Sequence, residues 1–266
     1  MARRALEHVR PMRGGAQAHL LRCDDSAYYV TKFQNNPQHV RILANEMLAA
    51  RLAVALGLPV ARAEVVKVEA DLINGTPELR VRHAGKWEKC LPGFQFGSRF
   101  PGQPGRVLIF DLLPEERLSE VENLADFAGM LLFDQWTCNT NGRQVIFLAE
   151  PHERRGYRAL MIDQGFCFNA GDWDFPDSPL RGLYHRHRVY AGLRGWQSFE
   201  PYLTRLEELP VRVLDEAAAS IPAEWYNADT AAMTRLLEQL DRRRRRVREL
   251  VAAVKNSSRQ PFAGWS

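Results

Sequence analysis

The chain has 266 residues, 45% hydrophobic and 26% charged, a globular balance that excludes wholesale disorder, collagen and coiled coil. One large domain or two lobes of this length bury most of their apolar surface without disulfides or structural metal. The net charge of +4, from 36 Lys and Arg against 32 Asp and Glu, is too small an excess to imply a nucleic-acid protein by itself.

No apolar run approaches the roughly 18 residues of a membrane span, which predicts no membrane association. The opening MARRALEHVR carries charge without an apolar stretch, so no secretory signal is expected. Cys23, Cys90, Cys138 and Cys167 show no C-x-x-C spacing, which points to buried free thiols in a reducing cytoplasm.

The first 36 residues read as β structure, with LRCDDSAYYVTKF as a hairpin turning at Asp24, Asp25 and Ser26. Pro37 opens a predicted helix whose stripe is Val40, Leu43, Met47, Ala50 and Val54, and Gly57 and Pro59 stop it. Short β-like segments follow: VARAEVVKVEA, LRVRHAG, GFQFGSRF and RVLIF. A long helix is expected from about Val121 to Thr137, then the polar loop CNTNGRQ. VIFLA and YRALMI, joined by EPHERRG, read as a second hairpin that ends in Asp163-Gln164-Gly165. The chain is then aromatic and loop-rich to about residue 198, and helices complete it, the last running from about Asp229 to Val254. The expected architecture is α+β in two lobes, a β-rich one with one helix over 1–110 and a mainly helical one over 111–266, with a ligand cleft between them.

Four features fall near that cleft. Arg13, Gly14, Gly15, Ala16 and Gln17 are small enough for backbone N–H groups to approach an anion, although Gly-Gly also serves as a plain turn. Lys32 ends an apolar strand, and Glu46 lies at the edge of the helix stripe; a strand lysine held by a helix carboxylate can grip phosphate. The loop Asn139-Thr140-Asn141-Gly142-Arg143-Gln144 offers amides to orient a nucleophile or bind metal. Asp163, leaving a hairpin into a glycine-containing turn, can hold Mg²⁺ against phosphate oxygens. In this order the four form the parts list of phosphoryl transfer in kinase-like folds.

The sequence resembles the HipA-like kinases, a bacterial branch of the protein-kinase-like superfamily. MRGGAQAHLL is similar to their nucleotide loop, YYVTKF to the strand bearing the ATP-phosphate lysine (Lys32), LLFDQWTCNTNGRQVIF to their helix and catalytic loop, and MIDQGF to their Asp-x-Gly metal site. The resemblance implies a two-lobed kinase-like fold and ATP- and Mg²⁺-dependent transfer to a Ser/Thr hydroxyl of a protein. It also implies an adenine-holding strand and hinge at RVLIFDLLP, placing Phe110, Asp111, Leu112 and Leu113 there.

The loop departs from the family pattern Gly-Asn-x-Asp-x-His. Asn141 stands where the catalytic aspartate is expected, Arg143 replaces the histidine within reach of the nucleotide, and Gln144 is the nearest metal-binding amide. Asparagine orients a hydroxyl but cannot take its proton. Asp134 and Asn139 satisfy the Asp-x4-Asn spacing of kinase loops, making Asp134 the other candidate base and Asn139 the other candidate metal ligand. But Asp134 lies inside the apolar helix between Phe133 and Trp136, neighbours that point instead to a group capping or bracing the loop from behind. A nucleotide-binding pseudokinase is the alternative reading. The run Arg242–Arg246 is either a solvated helix face or a nucleic-acid patch. His185 and His187, in the aromatic segment after Asp163, are expected to frame the acceptor site rather than bind metal.

Overall fold

The computed structural model describes residues 2–149 and 156–265. All of the expected EPHERRG turn except Gly156 therefore lies outside the described residues. The chain begins with β1 (Arg3–Pro11), β2 (His19–Cys23) and β3 (Tyr28–Lys32), followed by helix α1 (Ile42–Leu56). Next come β4 (Ala63–Val68), the short helix α2 (Ala70–Gly75), β5 (Arg80–His83), β6 (Lys86–Lys89) and β7 (Gly93–Arg99). After β8 (Leu108–Phe110) and helix α3 (Asp126–Thr137) stand β9 (Gln144–Ala149) and β10 (Arg158–Ile162). Helices α4 (Tyr202–Glu207), α5 (Val211–Ala219), α6 (Thr230–Arg244) and α7 (Val247–Lys255) complete the chain.

Five strands close into a barrel in the order β1-β2-β3-β7-β4, and β5 and β6 form a separate hairpin inserted before β7. Barrel closure brings neighbours tight against β7. A Cβ on Gly97 would lie 2.4 Å from Val66 on β4 and 3.3 Å from Tyr29 on β3, so the position accepts no side chain. The remaining sheet has the order β10-β9-β8, and Asp163 leaves its outer strand.

Two apolar clusters result. One fills the barrel and reaches α2 and β5 through Leu21, Tyr29, Phe33, Val66, Ile73 and Val81. The other joins α1 to α3 and the C-terminal helices. The position of α1 inside the second cluster corrects its expected amphipathic stripe. Nearly every residue from Ile42 to Ala53 is buried, including the polar Asn45 and Glu46, while the expected stripe ends Val40 and Val54 are 69% and 56% exposed.

Three boundaries also differ from expectation. The long helix starts at Asp126, not Val121, because Val121 bridges to Tyr157 and the Glu122 N–H donates to the Tyr157 carbonyl at 2.9 Å. The final helix is two helices, parted at Arg245–Arg246, where arginines interrupt the apolar stripe. The barrel ends at Arg99, and β8 pairs with β9, so residues 108–110, placed in the β-rich lobe by sequence, belong to the sheet that carries Asp163.

Candidate functional site

Strand β3, helix α1 and the end of β10 meet at three side chains. Lys32, the last residue of β3, donates its Nζ to Glu46 of α1 and, at 2.5 Å, to Oδ1 of Asp163. Lys32 and Glu46 are 7% and 2% exposed, so the ammonium sits between two carboxylates with little water. Burial opposes the charge on Lys32, but Glu46 and Asp163 outweigh it and hold the ammonium above its ordinary range. Burial likewise works against the Asp163 carboxylate, yet Lys32 keeps its pKa below the ordinary value. Both groups are charged at neutral pH, while burial pushes the Glu46 carboxyl above its ordinary range against the pull of Lys32.

Helix α1 also shapes the turn after Asp163. Glu46 accepts the backbone N–H groups of Gln164 (3.0 Å) and Gly165 (2.9 Å). Asn45 Nδ2 donates to the carbonyls of Gly165, Cys167 and Ala170, and its Oδ1 accepts the Trp173 indole N–H at 2.7 Å. His39 donates to the Gly165 carbonyl at 2.9 Å. Asp163 is left-handed (φ 60°), a conformation that costs free energy unless its surroundings hold it. Close packing requires Gly165, since a Cβ there would lie 2.6 Å from Ile42. Asn45 and His39 were not singled out by sequence; the adjacent Asn-Glu inside the apolar run ILANEMLAA was the available signal.

The glycine-containing turn lies between β1 and β2, closed by Met12 N–H to the Ala18 carbonyl at 2.7 Å. Gly14 has φ 113°, and Arg13, Gly14 and Gly15 are exposed. The Ala16 carbonyl is tied to Asn36. Gln17 is committed elsewhere: its amide donates to the Arg82 carbonyl (2.9 Å) and accepts the Arg82 N–H (2.6 Å), docking the turn on β5.

Helix α3 ends at Cys138 in the left-handed conformation and delivers the polar loop. Asn141 is exposed; its N–H donates to Asn139 Oδ1 (3.1 Å) and its carbonyl accepts from Gly182 (3.1 Å). Its own Oδ1 accepts the Gly142 N–H at 2.9 Å. Asp134 and Arg143 are not brought to the cleft. Arg143, 3% exposed, holds both carboxylate oxygens of Asp134, 1% exposed, and Asn139 Nδ2 donates to the same group at 3.0 Å. A carboxylate so enclosed reaches no acceptor hydroxyl, and a guanidinium so spent reaches no nucleotide. Burial raises the Asp134 pKa despite Arg143. The Asn139 amide is likewise consumed within the loop. Gln144 is half-buried and pairs across the sheet with Ile162, the residue before Asp163.

Phe110, Asp111 and Leu112 are exposed and Leu113 is buried. Phe110 sits on β8 edge-to-face with Tyr157, on the β10-β9-β8 sheet rather than on a strand leading out of the barrel. The chain actually leaves the barrel at β7, which sequence read only as a short strand.

The arginine run is also accounted for. Arg242 pairs with Glu238, Arg244 and Arg245 with Asp241, and Arg246 with Asp177 and Glu249. Arg243 turns inward to the Gln135 and Trp136 carbonyls. Each member of the run thus has a carboxylate or carbonyl partner, with Arg242 and Arg245 left largely exposed. His185 is exposed and His187 half-buried, and among the described residues no cluster of three His, Cys, Asp or Glu side chains could hold a metal ion.

A family model described as HipA-like kinase matches residues 7–257. A search of curated proteins finds no match. Among solved structures, the Golgi casein kinase with Mn/ADP bound aligns over 97% of this chain and 74% of its own at 13% identity and TM-score 0.53. Hydra Fam20 with sugar aligns over 97% and 87% at 13% identity and TM-score 0.58. HipA, from the Shewanella oneidensis MR-1 toxin–antitoxin HipA, HipB and operator DNA complex, aligns over 95% and 69% at 14% identity and TM-score 0.55. These likenesses establish the α+β architecture as protein-kinase-like.

Proposed function

The chain belongs to the HipA-like kinase family, and on that premise we propose that it transfers the γ-phosphoryl group of ATP, with Mg²⁺, to a Ser/Thr hydroxyl of a protein. The observation that carries the reading is the convergence of Lys32, Glu46 and Asp163 from three separate elements. Lys32, fixed by Glu46, presents a permanent positive charge to phosphate oxygens. The turn from Arg13 to Ala16 offers backbone N–H groups to the same phosphates.

Asp163 fits a hard divalent cation. It is a carboxylate with 22% of its side chain exposed, and the residue before it, Ile162, pairs across the sheet with Gln144, whose amide supplies a further oxygen on the neighbouring strand. A lone carboxylate and an amide match the way Mg²⁺ is held in kinases, where substrate phosphates complete its coordination. Asp163 and Gln144 would hold the ion, which when bound neutralises charge on the transferring phosphoryl group. Asn139, its amide consumed within the loop, does not serve.

Asn141 orients the acceptor hydroxyl through its exposed amide but takes no proton. Positioning and electrostatics dominate phosphoryl transfer, so slow turnover is compatible with an absent base. The same residue favours a second reading, a nucleotide-binding pseudokinase, because its Oδ1 already accepts from Gly142. The buried thiols fit a reducing cytoplasm.

Labelled ATP with Mg²⁺ and a bacterial lysate tests the proposal: wild type labels a protein and Lys32→Ala does not. Equal labelling by both refutes it. Asn141→Asp raises turnover by about tenfold or more if the kinase reading holds. Binding without turnover in either protein selects the pseudokinase.

A further inference from the structure

The middle residue of Asp163-Gln164-Gly165 has no part in the phosphate grip, yet it is a polar side chain only 2% exposed. Its backbone N–H donates to Glu46 Oε2 at 3.0 Å, and its side-chain Oε1 accepts from Arg143 Nη1 at 2.6 Å. Its Nε2 is buried and, among the described residues, has no partner. An apolar side chain would fill this space without a stranded Nε2 of its own but would leave the buried Arg143 Nη1 short of an acceptor, so packing alone does not account for the amide.

The contacts on either side do. Arg143 holds Asp134, Asp134 accepts from Asn139, and Asn139 Oδ1 accepts the N–H of Asn141. Arg143 Nη1 also donates to the Ile162 carbonyl at 3.2 Å, so one guanidinium touches the residues on both sides of Asp163. A continuous polar chain therefore runs Lys32, Glu46, Gln164, Arg143, Asp134, Asn139, Asn141. Its five inner members are each no more than 3% exposed, which shields the links among them from competing water. Gln164 is the only link that belongs to the Asp163 turn.

We propose that Gln164 is a positioning residue that couples nucleotide occupancy at Lys32, Glu46 and Asp163 to the geometry of the acceptor-facing loop 139–144. The proposal rests on the kinase reading and adds to it how the two halves of the site communicate. Nucleotide and cation draw on Lys32 and Asp163, and any adjustment of the turn moves Gln164, which shares it. With one side-chain bond and one free donor, the amide can follow the turn while keeping hold of Arg143. Arg143 and Asp134, which never reach the cleft, then act as the fixed strut that passes the shift to Asn139 and Asn141.

The test is Gln164→Leu, close in volume but unable to accept from Arg143, with Gln164→Met in its place if the leucine variant does not fold. Gln164→Glu restores an acceptor. ATP affinity with Mg²⁺, kcat, and amide hydrogen exchange of residues 139–144 with and without ATP are measured on each. The expected result is ATP affinity within about threefold of wild type, kcat down about tenfold, and an exchange response of the loop to ATP that is lost, with partial recovery in Gln164→Glu. A loop that still responds to ATP in the apolar variant overturns the coupling and leaves the kinase reading intact. So does kcat that falls only in step with ATP affinity and thermal stability. A wild-type protein that ignores ATP in every measurement overturns both.

Discussion

At the scale of single residues, the informative positions are charged or polar groups held where solvation is poor. His19 is 2% exposed, its ring bonded to His8 and to the Arg80 carbonyl. Burial lowers its pKa from 6.5 to about 4, with the Arg80 carbonyl opposing and His8 assisting. The unfolded chain therefore binds a proton between those values that the folded chain refuses. Stability falls as pH drops from 6.5 towards 4 and levels off below, by at most about 3 kcal/mol. Denaturant midpoints across that range are expected to lose this acid slope in His19→Gln; an unchanged slope contradicts the assignment. Lys32 and Asp163 were legible in sequence because a charge at the end of an apolar strand is conspicuous. Asp134 was legible only in part: its place inside an apolar helix pointed to a brace behind the loop, as found, whereas its kinase-like spacing to Asn139 suggested a base and could not reveal that Arg143 folds back onto it. Gln17 failed similarly, its partner Arg82 lying on an inserted hairpin distant in sequence.

At the scale of elements, α3 delivers the loop, and its C-terminal end is held from the other side of the molecule. Arg243 of α6 donates to the Gln135 and Trp136 carbonyls and to Asp177, while the Trp136 indole donates back to the Leu240 carbonyl. A cation at a helix C-terminus satisfies carbonyls that have no partner within the helix. Arg243→Ala strands these buried acceptors and is expected to cost about 3 kcal/mol, whereas Arg245→Ala, at a side chain 70% exposed, costs about 0.5 kcal/mol or less. Urea unfolding of the two variants checks the contrast, and equal small losses would refute it. The run of like charge reads as one feature in sequence, but the break between α6 and α7 points its members in different directions. The strands and the first hairpin were legible from turn residues and apolar segments. The start of α3 was not, because the backbone at Val121 is claimed by Tyr157, a long-range pairing that periodicity does not register.

At the scale of the whole molecule, α1 decides the architecture. It packs in the cluster of the C-terminal helices while its polar residues clamp the Asp163 turn. The barrel contributes Lys32, and the β10-β9-β8 sheet contributes Asp163. Neither part holds the site alone, so the cleft exists only when both are folded and docked. Sequence order suggested this two-part build, yet the exit from the barrel was misplaced at RVLIF, since an apolar strand reads the same whichever sheet it joins.

Calorimetric titration of ATP tests the central claim most directly, using wild type and Lys32→Met with and without Mg²⁺. The account predicts saturable binding that strengthens with Mg²⁺ in wild type and weakens at least about tenfold in Lys32→Met. Affinity indifferent to both the lysine and the cation would contradict it.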